Sequence, residues 1–244
     1  MVPLSARLFA LKQLQANASA LLPNVATCVS GALLFHAAGD VDWAAAGLVA
    51  VSAAATTRVG ARFAHRLPES TQKYCFGAAL LLLGPCIAFK PLLQGDRSKA
   101  TPAQPGAGEH GSHRVPTARE AAGFLALGSC TGLASGLMGI GAGVMCTVGL
   151  AIGGPAVWSH HTILGTAFAA QLLPHATGAF THWQLGNLRT DLVPFLVLGS
   201  ALGSALASRV AVKTDDEALR WLFSAYSVAL GLHSLRQGRA LAMR

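Results

Sequence analysis

The feature that most constrains the fold of this chain is the length of its stretches without a charged side chain. No Asp, Glu, Lys or Arg occurs in residues 13–39, 121–188 or 192–208. Charged residues make up 11% of the chain, whereas soluble domains carry roughly 25%. A soluble fold needs charged faces toward water, and stretches this long provide none. The sequence therefore predicts an integral membrane protein of the all-α class, a multi-pass transmembrane helical bundle.

Apolar segments of suitable length divide the chain into about seven spans, because a crossing needs roughly 20 residues. We predict them at about residues 19–37, 43–59, 73–89, 120–153, 161–182, 191–208 and 218–236. The fourth segment is too long for one straight crossing. The tryptophans lie at or near predicted span ends, which is typical of interfacial side chains: Trp43, Trp158, Trp183 and Trp221.

A glycine-rich stretch within the fourth segment has two parts. The first part recurs every four residues and would give one helix face a groove for a neighbouring helix: Gly128, Gly132 and Gly136. The second part recurs every two residues, which disfavours a helix interior: Gly139, Gly141 and Gly143. We predict a glycine-broken helix near residues 139–143, interrupted within the membrane and resumed near Val144, with its freed N–H groups available to an anion. The alternative is a tight loop between two ordinary helices.

The chain also resembles itself when it is shifted by 147 residues. The shift matches glycines, amides and loop cations without a gap, including Gly31 with Gly178, Gly39 with Gly186, Asn24 with Gln171, and Arg62 with Arg209. Such a pattern indicates an internal repeat, which is frequent in secondary transporters. The glycine motif of the second repeat has no counterpart in the first, so we expect the first repeat to lack its N-terminal part.

These observations predict two related halves and a linker. The division is a truncated first membrane half at 1–92, a flexible polar linker at 93–118, a second membrane half at 119–237 and a basic tail at 238–244. The linker prediction follows from its Gly, Pro, Ser and mixed charges.

Several other classes of function are disfavoured. The net charge is +8, but the cations lie in connections between spans, which favours contact with anionic lipid head groups over nucleic acid. The five cysteines lie in apolar stretches without CxxC spacing, and no His cluster has ligand spacing, so we expect no metal and no cofactor. A GxGxxG fingerprint fails at Val144. No nucleophile has a partnered base, so an enzyme is not expected.

A bound anion in the second half would need neutral donors, because residues 121–188 contain no Lys or Arg. The candidate substrate-binding groups are the backbone at the glycine break and three polar side chains: Gly139, Gly141, Gly143, Thr166, Gln171 and Asn24. The alternative for Asn24 and Gln171 is a hydrogen bond between helices. His175 lies one turn after Gln171 and is a candidate for a proton or polar relay, or for a hydrogen bond to a neighbouring helix.

Four stretches carry a resemblance to a known family: Gly132–Gly143, Gly165–Thr166, Gly186–Leu188 and residues 39–43. Together with the repeat spacing, they make the chain similar to the sulfite exporter TauE/SafE family of membrane transporters. The resemblance implies two four-helix halves and movement of sulfite, sulfonates or related organic anions. Two departures are Ala142, where the family often has Gly, and the missing motif of the first half.

The resulting expectation is a secondary transporter for a small anion such as sulfite or an organosulfonate, with the plasma membrane favoured. The alternative is a non-transporting or degenerate member of the same family that acts as a structural or assembly partner. The expected partners are the small anion and the lipid bilayer.

Overall fold

The computed structural model describes residues 13–64, 66–88, 116–138, 143–155, 158–187, 191 and 193–243. Within these ranges the secondary structure consists of eight α-helices: α1 Gln13–Ala37, α2 Trp43–Ala64, α3 Glu69–Ala88, α4 Ala118–Met138, α5 Gly143–Gly153, α6 His160–Gln184, α7 Val193–Lys213 and α8 Asp216–Ala242. The all-α prediction is confirmed for this part of the chain. Residues 1–12, Gly139, Gly141 and most of the predicted linker lie outside the described residues.

Helix starts and ends follow local side-chain chemistry. Ser159 caps α6 by accepting a hydrogen bond from the Thr162 N–H, and Asp215 caps α8 by accepting from the backbone of its first turn. The turns after α1 and α6 contain Gly39 and Gly186, with φ of 82° and 70°, a conformation that favours glycine. The basic tail predicted after residue 237 is a continuation of α8 to Ala242.

Helices α1 and α6 pack against each other in antiparallel orientation. The C-terminal end of α1 meets the first half of α6, where Phe35 and Phe168 stack with ring centroids 5.9 Å apart. Midway along both helices, the Cys28 Sγ lies 3.4 Å from the His175 Nδ1. In addition, α1 packs on α7, and α6 packs on α2.

Helices α3 and α8 form a second antiparallel pair. The Ser234 hydroxyl of α8 donates to the Lys73 carbonyl of α3 at 2.9 Å. Farther along, Gly84 lies so close to α8 that an added Cβ would be 2.8 Å from the Cβ of Ser227. A small residue at that position therefore sets the separation of the two helices.

The predicted glycine groove is present on α4 and is filled by α2. An added Cβ would lie 2.9 Å from the Cα of Val49 at Gly128, and 2.6 Å from the Cα of Ala53 at Gly132. The Thr56 hydroxyl of α2 donates across the interface to the Ser129 carbonyl at 3.0 Å. Close approach of the two backbones is what the four-residue glycine spacing provides.

The helix is interrupted at the predicted glycine break, because α4 ends at Met138 and α5 begins at Gly143. A resumed helix that continued in the same direction would carry Trp158 away from the beginning of α4. Instead, Trp158 stacks on Phe124 with ring centroids 6.1 Å apart, and a Cβ at Gly149 would lie 3.0 Å from a methyl group of Leu127. Helix α5 therefore returns alongside α4, and the two form a helical hairpin. Glycine spacing indicates where a helix stops, but it carries no information about the direction of the next one.

The outer faces of the helices are apolar. Within the described part of the chain, three helices have the length and composition to cross a membrane: Ala18–Ala37, Trp43–Ala64 and Val193–Lys213. The third, α7, exposes large apolar side chains along its length, including Phe195 at 77% and Leu202 at 68%. Exposed apolar area of this extent is expected on a surface that contacts lipid.

Several elements recur at the spacing found in the sequence. Helices α1 and α6 are both 25 residues long and begin 147 residues apart. The first residues of α3 and α8 are also 147 residues apart. The turns that follow α1 and α6 contain equivalent backbone hydrogen bonds, from Asp40 to Phe35 and from Asn187 to His182. Cys28 and His175, which contact each other, are also 147 residues apart.

Candidate functional site

A cavity of about 360 Å³ lies between α1, α3, α5, α6 and α8. Its large apolar lining residues include Phe76, Leu164, Phe168, Phe223 and Leu230. Polar side chains line two other parts of the wall. We call one the amide part, which contains Asn24 and Gln171, and the other the charged part, which contains Lys73. The volume is within the range of about 300–1,000 Å³ that is usual for small-molecule sites.

Gln171 of α6 dominates the amide part of the wall. Its side chain is 2% exposed, and neither its amide nitrogen nor its amide oxygen has a hydrogen-bond partner of ordinary length among the described residues. The thiol of Cys146 lies close to it. A buried amide without hydrogen-bond partners of ordinary length is costly, and this side chain lines the cavity beside Cys146.

Two further predicted residues lie on the same wall. Asn24 of α1 is half-buried, and His175 of α6 is 3% exposed. The Nδ1 of His175 faces Cys28, whereas its Nε2 has no hydrogen-bond partner among the described residues. The cavity therefore joins Asn24, Gln171 and His175, which the sequence had identified from three separate positions.

The first turn of α5 also lines the cavity, through Gly143, Val144 and Thr147. An added Cβ at Gly143 would have no neighbour within 4 Å, so the backbone there faces open space. The first N–H groups of a helix have no partner within it and carry a partial positive charge. An anion in the cavity would therefore meet positive potential without a cationic side chain at this wall.

Thr166 lies outside the cavity lining. It is completely buried, and its hydroxyl accepts a hydrogen bond from the Asp42 N–H at 3.0 Å. Its neighbour Gly165 packs against the same connection, where an added Cβ would meet the Asp40 carbonyl oxygen and lie 3.1 Å from the Cγ2 of Val41. Gly165 and Thr166 thus hold the connection between α1 and α2 onto the beginning of α6.

Further polar contacts join the α1–α2 connection and the first turns of α6 and α8, outside the cavity. The Thr162 hydroxyl donates to Asp40 at 3.3 Å, and the His161 ring contacts Asp216 at 3.3 Å. Burial raises the pKa of the Asp40 carboxyl above its usual value, and the nearby His161 offsets this only in part. These contacts join the α1–α2 connection to α6 and α8.

The sequence analysis missed the charged part of the cavity wall. Lys73 of α3 lines the cavity together with Gln237, His233 and Ser234 of α8. Lys73 was predicted to be the first residue of the span at 73–89, but it lies one turn inside α3 and shares a helix face with the buried Phe76. That spacing of three residues was the signal that could have identified it.

Apolar helices that enclose a partly polar cavity define the class of integral membrane transport proteins. The chain matches the family model described as Sulfite exporter TauE/SafE over residues 1–234. It therefore belongs to the sulfite exporter TauE/SafE family, and it is an integral membrane transporter rather than an enzyme. No curated protein and no solved structure gives a match. The family predicted from the glycine motifs is confirmed.

Proposed function

We propose that the chain is a secondary transporter for a small anion, such as sulfite or an organosulfonate, and that the anion binds at the amide wall of the cavity. The observation that carries the proposal is the buried, unpartnered amide of Gln171 beside the first turn of α5. The amide N–H groups of Gln171 and Asn24 are neutral donors that suit anionic oxygens. The sequence contains no ATP-binding motif, so a gradient would supply the energy.

The arrangement favours an anion over a cation or a neutral solute. A helix N-terminus carries the equivalent of roughly half a positive charge, and an enclosed site strengthens its effect on a ligand. The apolar lining of the cavity would accommodate the organic part of a sulfonate. Neutral donors also avoid burying a cation when the site is empty, which would be expensive in a membrane.

We further propose that the seven long helices span the membrane, with the plasma membrane favoured, and that the chain consists of two related halves of inverted topology. The support is the antiparallel packing of α1 on α6 and of α3 on α8, in which residues 147 apart are neighbours, as Cys28 and His175 are. The cavity lies between these pairs. Rocking of one half against the other would then expose it to each side of the membrane in turn.

Flux of radiolabelled sulfite and methanesulfonate into proteoliposomes tests the proposal. The purified protein should carry an anion faster than empty vesicles do. Absence of flux for every anion offered, from a monodisperse and helical preparation, would contradict the transport of these anions.

The variant Gln171→Leu tests the binding residue. We expect flux at a limiting anion concentration to fall at least about tenfold, because hydrogen bonds to a charged group contribute about 1.5–3 kcal/mol. Its stability should be unchanged or higher, since a buried amide without partners is removed. A structural hydrogen bond between helices predicts the reverse, namely lower stability. Gln184→Leu, at an exposed position on the same helix, is the matched control and should leave flux unchanged.

A further inference from the structure

We propose that Lys73 selects anions at the entrance of the cavity and that Glu69 is its resident counter-ion, which an entering anion displaces. The inference rests on the proposed function, because it assigns a residue to the entry step of the same site. Lys73 is the one Lys or Arg among the described residues that line the cavity. It is therefore the strongest local source of positive potential for a solute that enters.

The position of Lys73 corresponds to an entrance. Its side chain is 13% exposed, its neighbour His233 is exposed and Gln237 is half-buried. At the other parts of the wall, Gln171 is 2% exposed and Leu164 is 9% exposed. The charged part of the wall is therefore more exposed than the part around Gln171 and Leu164.

The contacts of Lys73 leave capacity for a ligand. Its ammonium group donates to the Gln237 Oε1 at 2.9 Å and lies 3.4 Å from the Glu69 Oε1. An ammonium group has three N–H donors, and no further acceptor for the third occurs among the described residues. The Gln237 amide nitrogen is in turn 2.8 Å from the His233 Nε2, which orients the Gln237 oxygen toward Lys73.

Glu69 is suited to leave when an anion arrives. Its side chain is 40% exposed, and it is the residue one turn before Lys73 on the same helix. The exposed carboxylate keeps much of its contact with solvent, which weakens its attraction to the ammonium group. An anion that meets the ammonium group at the cavity side can therefore replace the carboxylate at little cost.

The same type of pair recurs where there is no cavity. Arg220 and Asp216 of α8 are also four residues apart, and their side chains approach to 3.6 Å. Arg220 does not belong to the cavity lining, whereas Lys73 does. A cation–carboxylate pair at the start of a helix is thus not sufficient to select anions. Lys73 differs from Arg220 because it lines the cavity.

The test measures the KM for sulfite uptake into proteoliposomes by three variants. For Lys73→Gln we expect KM to rise about tenfold, and for Lys73→Arg it should stay within about threefold of the original value. For Glu69→Gln the KM should fall several-fold, because the competing carboxylate is gone. The rise of KM with ionic strength should be weaker in Lys73→Gln than in the unmodified protein.

The opposite directions separate this proposal from a structural role of the pair. If the pair only stabilised α3, both Lys73→Gln and Glu69→Gln would impair the protein in the same direction, and that result would overturn the proposal. Arg239→Gln, an exposed cation near the end of α8, is the control and should leave KM unchanged. If Lys73→Gln does not fold, the fall in KM for Glu69→Gln decides the question, and an unchanged or higher KM refutes the proposal.

The two proposals fail in distinguishable ways. Absence of anion flux from the unmodified protein contradicts the proposed function itself. Normal flux, together with an unchanged KM in Lys73→Gln, contradicts only the role of Lys73.

Discussion

The glycine groove of α4 allows a prediction whose size follows from the structure. In Gly132→Ala, the added methyl group would lie 2.6 Å from the Cα of Ala53, whereas ordinary contact begins at 3.4 Å. The two helices would have to separate by at least about 0.8 Å, because the Ala53 carbonyl oxygen lies closer still to the added methyl group and neither backbone can rotate away. Overpacking of this kind costs about 1–3 kcal/mol.

Two smaller effects accompany the clash. Separation of the helices weakens the hydrogen bond from Thr56 to the Ser129 carbonyl, and such bonds contribute about 0.6 kcal/mol in membrane proteins. Replacement of glycine by alanine within a helix raises the free energy of unfolding by about 0.8–1 kcal/mol, because alanine has the higher helix propensity. We therefore expect Gly132→Ala to lower the free energy of unfolding by about 0.5–3 kcal/mol.

The same helix offers a matched control. Gly123 also lies within α4, but an added Cβ there would have no neighbour within 4 Å. Gly123→Ala should therefore raise the free energy of unfolding by about 0.5–1 kcal/mol, through helix propensity alone. Unfolding in a titration with SDS, followed by tryptophan fluorescence in mixed micelles, measures both variants. Equal effects of the same sign would refute the inference that close contact with α2 explains the glycine spacing.

Three further predictions concern the junctions around the cavity. Burial raises the pKa of Asp40, so ionisation opposes folding and stability should fall as the pH rises through this raised pKa. Asp40→Asn should lose that dependence, which thermal unfolding across a pH series measures. The same dependence of melting temperature on pH in Asp40→Asn and in the original protein would contradict this reasoning. Gly165→Ala should cost about 1–3 kcal/mol, because the new methyl group would lie 2.7 Å from the Cβ of Phe35; a melting temperature equal to that of the original protein would contradict this. Ser204→Ala removes a 3.0 Å hydrogen bond to the Thr27 carbonyl and should cost only about 0.6 kcal/mol, so a loss above about 2 kcal/mol in the SDS titration would be inconsistent with this estimate.

Many helix positions could be predicted because the relevant forces act locally along the chain. The charge-free runs predicted a span at about residues 19–37, and α1 ends at Ala37. The following turn has Gly39 with positive φ, a conformation that other residues adopt at a cost. In each case a few neighbouring residues contained the information.

Part of the candidate site could also be predicted, for a related reason. Asn24 and Gln171 were identified because an amide within an apolar span is costly unless it has a partner or faces a cavity. Both line the cavity. Thr166 satisfied the same criterion, but its hydroxyl accepts the Asp42 N–H instead. Whether a polar group meets a cavity or a neighbouring backbone depends on packing, which the local sequence does not contain.

By itself, the sequence determined that the chain is helical and embedded in lipid, approximately where several of its helices lie, and which family it resembles. Backbone polar groups must form hydrogen bonds within the lipid, and a single segment can satisfy its own groups only as a helix. Long runs without charged residues, which mark such segments, can be recognised directly in the sequence. Only the tertiary structure decided that α5 returns along α4 and that Lys73 faces the cavity. The physical reason is that lipid is as apolar as a protein interior, so the pattern of apolar residues does not tell which face of a membrane helix meets lipid and which meets another helix.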